Sequence, residues 1–168
     1  MQKLIGGGLV VLACMGGALH LTWQRREGLR TLEQLIAALL LIERELGRGE
    51  PDTATLLELA AQSVTGPASR FFCSVREGLN RNAEWPLAAL WREAGEALAL
   101  PPAAKTAFDA AGQILGRYDA REQRKGLHAA AQTLQEVFQS AKEEEKQTSR
   151  LTLALGSCAA VFLLVLLL

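Results

Sequence analysis

Metal binding is the first chemistry that the histidines of this sequence suggest, and their surroundings do not support it. A metal site on a helix needs a second ligand three or four positions from the first. At those positions His128 is preceded by Arg124 and Lys125 and followed by Ala131 and Gln132. None of these side chains suits the role, so the sequence predicts no metal site and no cofactor.

Nucleophilic, acid–base and phosphate chemistry have no supporting pattern either. Cys73 follows two phenylalanines and suits a buried apolar position better than a reactive thiol. Glu93 and Glu96 are three positions apart, which is typical of a solvated helix face. Three consecutive glycines, Gly6 to Gly8, lack the Gly-Lys-Ser/Thr of a phosphate-binding loop. The sequence therefore predicts a non-enzymatic protein with no small-molecule substrate.

Two uncharged segments, residues 4–22 and 151–168, frame the chain. A helix of 18 residues rises about 27 Å, close to the ~30 Å thickness of a bilayer core. We therefore expect transmembrane helices over residues 1–22 and 151–168, with a helical domain over residues 23–150. A cleaved signal peptide or lipoprotein signal near Cys14 is the alternative for the first segment.

Basic residues flank both segments on the side of the central domain, which predicts a cytoplasmic location for it. The central domain carries 17 basic and 18 acidic residues. The basic excess expected of a nucleic-acid binder is therefore absent. The flanking residues are Arg25, Arg26, Arg30, Lys142, Lys146 and Arg150.

Between the two segments, apolar residues recur at helical spacing, and glycine and proline divide the domain into six stretches. No stretch alternates like a strand. The pattern predicts an all-α fold, an antiparallel bundle of about six helices. Gly116 is a predicted helix stop, and Asp119 with Glu122 has capping-box spacing. The breaks lie at residues 47–51, 65–67, 80–86, 100–102 and 116–119.

Segments spread along the whole chain resemble the stage III sporulation protein AB family of endospore-forming bacteria. The run from Leu115 to Lys125 is similar to the family's Leu-Gly-x-x-Asp-x-x-x-Gln turn and helix start. The segment from Gly47 to Thr53 departs from the family's pattern. The other similar segments are Lys3 to Gly6, Arg30 to Leu46, Ala89 to Trp91, and Leu155-Gly156 with the apolar residues after it.

The resemblance implies a fold and a function. That family is similar to the cytoplasmic domain of the type II secretion F protein, so the bundle is expected to be F-domain-like. The implied role is a platform in the apparatus joining mother cell and forespore, in the mother-cell membrane. Its implied partners are a secretion-type ATPase, the sporulation AA protein, and other channel components, besides membrane lipid. A small membrane-bound sensor or regulatory domain is the alternative.

Partner binding is the remaining chemistry, and the exposed connections between helices are its predicted places. Among residues 47–53, 80–84 and 117–123, we favour the last, because side chains at a helix start project from a rigid element. A capped turn that serves only the fold is the simpler interpretation. For Trp85 and Trp91, core packing is favoured over partner anchoring. The predicted partner-binding residues are Arg117, Asp119, Arg121, Gln123 and Arg124.

Overall fold

A computed structural model describes residues 27–49, 51–81, 85–117 and 119–167, with side chains described as far as residue 146. These ranges contain six α-helices and no strand, which confirms the all-α prediction for the described part of the chain. The helices are α1 (residues 27–48), α2 (Thr53–Ser63), α3 (Gly66–Arg81), α4 (Leu87–Gly95), α5 (Pro102–Ile114) and α6 (Ala120–Leu167).

The helix ends follow from local chemistry that the sequence carries. The Asp52 carboxylate accepts a 2.7 Å hydrogen bond from the N–H of Ala54 and so caps α2. Gly116 has φ +78°, a conformation that stops α5 and that side chains disfavour. Pro86 lies at the N-cap of α4, one residue before the helix begins.

Consecutive helices pack against each other in alternating directions. Helices α2 and α3 form an antiparallel hairpin, in which the Ser69 hydroxyl donates to the carbonyl of Ala61 and Arg76 pairs with Glu58 at 3.2 Å. In the same way, α3 packs against α4, α4 against α5, and α5 against α6. Helix α1 lies against α6, because Glu43 is 3.2 Å from His128. The arrangement is an up-and-down helical bundle.

The centre of the bundle is an aromatic cluster around Trp91, which is fully buried. The centroid of its ring lies 4.9 Å from the ring centroids of both Phe71 and Phe108, and 5.9 Å from that of Phe72. The indole N–H donates a 2.9 Å hydrogen bond to the carbonyl of Phe108, which satisfies the only polar atom of that side chain. A methyl group added at Gly112 would lie 2.3 Å from the Trp91 ring, so the glycine makes room for it.

The apolar stripe of α6 is buried in its first half and half-buried in its second. Leu127, Ala131 and Leu134 are buried, as the spacing predicts. Phe138, which continues the same spacing, is only partly buried, because it packs at the margin of the core and Lys142 lies 5.3 Å from the centroid of its ring. Helical spacing therefore indicates which face of α6 meets the core but not how deeply each side chain is buried.

In the described part of the chain, no helix is long and apolar enough to cross a membrane. The first predicted span, residues 1–22, lies outside the described residues. The second, residues 151–168, is described only as the helical backbone of residues 151–167.

Candidate functional site

Three connections between helices converge at one end of the bundle. A methyl group added at Gly116, between α5 and α6, would lie 3.5 Å from Thr53 Oγ1 at the start of α2 and 3.6 Å from Leu87 Cδ2 at the start of α4. All three predicted partner-binding connections therefore lead to the same place. We call it the three-turn end and define it as residues 46–49, 51–53, 85–87, 115–117 and 119–125.

Asp119 and Gln123 hold the α5–α6 connection in shape. The Asp119 carboxylate accepts a 2.8 Å hydrogen bond from the N–H of Glu122, which is the predicted N-cap of α6. The Gln123 Oε1 accepts a 3.1 Å hydrogen bond from the N–H of Gly116. These bonds give both side chains a role in the fold. The turn geometry therefore depends on them, whether or not either touches a partner.

The arginines of the predicted site differ from these two residues, because no hydrogen bond or ion pair ties their side chains to another described residue. Arg117, Arg121 and Arg124 are exposed. Among the residues that the structure describes, none is joined to a carboxylate.

The described acidic side chains around these arginines each have another partner. In the described ranges, hydrogen bonds or ion pairs of 2.6 to 3.1 Å engage all five acidic residues next to the three connections. The pairs are Glu45 with Arg48, Asp52 with the N–H of Ala54, Glu77 with Arg81, Asp119 with the N–H of Glu122, and Glu122 with Lys125.

A shallow surface depression joins the end of α1 to the start of α6. Its volume is about 370 Å³. A methyl group added at Gly47 would lie 3.1 Å from Cζ of Arg124, so the guanidinium lies across the glycine. The depression combines apolar, glycine and charged surface. It is lined by Leu46, Gly47, Asp119, Ala120, Arg121 and Arg124.

Trp85 lies at the three-turn end with half of its surface exposed (50%). Core packing, which the sequence favoured for both tryptophans, is therefore right for Trp91 and wrong for Trp85. Pro86 explains the difference, since Trp85 precedes the helix and does not share its apolar stripe. An exposed tryptophan at the same end of the bundle as exposed arginines brings together two residue types that are enriched in binding hot spots.

His128 makes a contact between two helices. Its Nδ1 is 3.2 Å from the Glu43 carboxylate across the α1–α6 contact. Among the described residues, no group of three or more histidine, cysteine, aspartate and glutamate side chains could hold a metal ion. Sequence spacing alone could not find this pair, because Glu43 is 85 positions away.

Comparison with known proteins places the chain in a family. The family described as stage III sporulation protein AB matches residues 3–168. The chain belongs to the stage III sporulation protein AB family. The stage III sporulation protein AB of Bacillus subtilis (strain 168) is 24% identical over 171 residues, which cover 99% of each chain. The resemblance noted in the sequence is thereby confirmed, and family membership supports a role in sporulation.

A solved structure of a stage III sporulation protein AB has the same fold. It superposes with a TM-score of 0.64 at 22% identity and covers 72% of this chain and 98% of that one. At this identity the similarity shows the fold alone. The helical bundle is thus the fold of a family member whose structure is solved.

Proposed function

We propose that this chain is a membrane-anchored, non-catalytic platform of the secretion-like apparatus between mother cell and forespore. Its three-turn end would dock a cytoplasmic ATPase, the sporulation AA protein, to the membrane complex. Family membership supports the sporulation role. The observation that carries the docking proposal is the convergence of three connections at one end of the bundle, with three exposed arginines that have no ion pair among the described residues.

Helix α6 supports the membrane anchor. It runs for 48 residues without a break from the three-turn end to Leu167. The bundle and the second predicted span would therefore share one continuous helix. From residue 120 to residue 151 such a helix rises about 45 Å. The three-turn end would stand at roughly that distance from the bilayer, where a soluble partner can reach it.

The antiparallel contact of α1 with α6 supports an anchor with two spans. Glu43 lies beside His128 and Gly47 lies beside the side chain of Arg124, so α1 and α6 run in opposite directions. The start of α1 and the later part of α6 therefore lie at the same end of the bundle. The two predicted spans would leave the bundle from that end. This favours a domain held upright on the cytoplasmic face of the mother-cell membrane.

Binding of the full chain to the ATPase tests the proposal. The chain, reconstituted in lipid nanodiscs, would be titrated with the purified ATPase at concentrations up to tens of micromolar. We expect saturable binding, with empty nanodiscs as the control. A chain that is helical by circular dichroism and still binds no ATPase would contradict direct docking. ATP hydrolysis by the chain itself would contradict the non-catalytic role.

A further inference from the structure

The chemistry of the partner segment at the three-turn end can be inferred from the arginine charges that have no described ion pair there. We propose that this end binds an acidic protein segment, whose carboxylates pair with Arg117, Arg121 and Arg124. One part of the segment would lie in the depression between Gly47 and Arg124. The proposal rests on the docking function given above and specifies the class of partner surface that this function would use.

The charge balance is the first argument. The five described acidic groups beside the three connections are engaged by backbone N–H groups or by other basic residues, at 2.6 to 3.1 Å. The three arginines are exposed, and no described carboxylate pairs with them. A guanidinium presents a rigid fork of donors that matches a carboxylate. The complementary surface is therefore one rich in aspartate and glutamate.

The shape of the depression is the second argument. It lies against the first turn of α6, where Ala120 and Arg121 line it. The N–H of Glu122 is capped by Asp119, whereas the N–H groups of a helix's first two residues have no acceptor within the helix. An extended chain laid across the depression can supply both carbonyl and carboxylate oxygens to these donors. Leu46 and Ala120 add apolar surface for its methylene groups.

The distribution of the arginines favours a protein segment over a small anion. Arg121 and Arg124 are three positions apart on α6 and share a face, whereas Arg117 precedes the helix. Such a spread suits several carboxylates along a chain better than one phosphate group. Trp85, exposed at the same end, offers an aromatic contact to the same segment.

A peptide titration tests the charge. The full chain in nanodiscs would be titrated with a short fluorescein-labelled glutamate-rich peptide and with a glutamine-rich peptide of equal length. We expect binding of the glutamate peptide only, weakened as salt is raised above ~0.15 M. The Arg121→Glu/Arg124→Glu variant should bind it at least about tenfold more weakly. Arg70→Glu is the control, because Arg70 is also exposed near a helix start, that of α3, and has no described ion pair.

A pair of leucine variants tests the depression without changing any charge. A side chain at Gly47 meets the guanidinium of Arg124, whereas Ala103 is exposed at the start of α5, at the opposite end of the bundle. Gly47→Leu should therefore weaken peptide binding at least about tenfold, and Ala103→Leu should leave it unchanged. Equal binding by these two variants, or an undiminished affinity of the charge-reversed variant, would overturn the proposal. So would equally effective competition by inorganic pyrophosphate.

The outcome with the ATPase separates this inference from the docking function. If the Arg121→Glu/Arg124→Glu variant binds the ATPase as tightly as the parent chain, the acidic-segment inference is wrong and the docking function stands. If the chain binds the glutamate-rich peptide but not the ATPase, the surface for an acidic segment stands and the ATPase is not its partner.

Discussion

At the scale of single residues, the arginines that start α6 oppose the stability of their own helix. The first turn of a helix carries a partial positive charge, which disfavours a nearby cation by about 0.3–1 kcal/mol. Arg121 occupies the second position of α6 and has no described ion pair to offset this cost. Partner binding would explain a residue that opposes its own helix and makes no described ion pair.

Arg121→Glu should therefore stabilise the folded chain while it weakens partner binding. The substitution replaces a repelled cation with an attracted anion and places a glutamate four residues before Lys125, a favourable spacing. We expect an increase of about 0.5–1 kcal/mol in the free energy of unfolding, measured by thermal melting. Arg92→Glu, in the last turn of α4, should shift the melting temperature in the opposite direction. A lower melting temperature for Arg121→Glu would contradict the argument.

Gly112→Ala should destabilise the domain, because its methyl group would overlap the Trp91 ring. We expect a loss of about 1–3 kcal/mol from overpacking. The near-ultraviolet circular dichroism of the tryptophan should change with it. Gly49→Ala, which faces open space, is the matched control and should melt within about 0.5 kcal/mol of the parent. A Gly112→Ala variant as stable as this control would mean that the ring is not packed against α5.

At the scale of elements, α6 depends on its first half for contact with the core. Leu134→Asp should unfold the bundle, because this fully buried position would force a carboxylate out of water at a cost of about 3 kcal/mol or more. Phe138→Asp should cost less, since Phe138 is partly exposed and an aspartate there would lie four residues before Lys142. Unfolding by denaturant should show that Leu134→Asp is the less stable of the two variants. The reverse order would mean that Phe138 lies deeper in the core than Leu134.

The helices themselves could be read from the sequence, because their ends depend on neighbouring residues. Asp119 caps the helix that it precedes, and Gly116 stops the helix before it through its own backbone conformation. The burial of individual side chains was harder to predict. Phe138 belongs to the apolar stripe of α6 yet lies at the margin of the core, and Trp85 is half exposed, since burial depends on what another helix places opposite a side chain.

At the scale of the whole molecule, the convergence of the three connections was not predictable from any local pattern. Each connection was recognisable as exposed, but their proximity follows from the antiparallel packing of six helices. The contact of Glu43 with His128 also follows from the packing of the helices, because it joins α1 and α6, which are far apart in the sequence. The candidate arginines were therefore identified from the sequence, and the depression between α1 and α6 was found only in the structure.

The central claim is that the cytoplasmic ATPase docks on the three-turn end, and site-specific cross-linking tests it most directly. In a background with Cys14, Cys73 and Cys158 replaced by alanine, a single cysteine would be placed at Gly49 or at Ala99. Gly49 belongs to the three-turn end, and the exposed Ala99 lies at the other end, beside Gly28. We expect a short bifunctional reagent, applied to membranes of sporulating cells, to link the ATPase to Gly49→Cys only. Cross-linking through Ala99→Cys and not through Gly49→Cys would contradict the account.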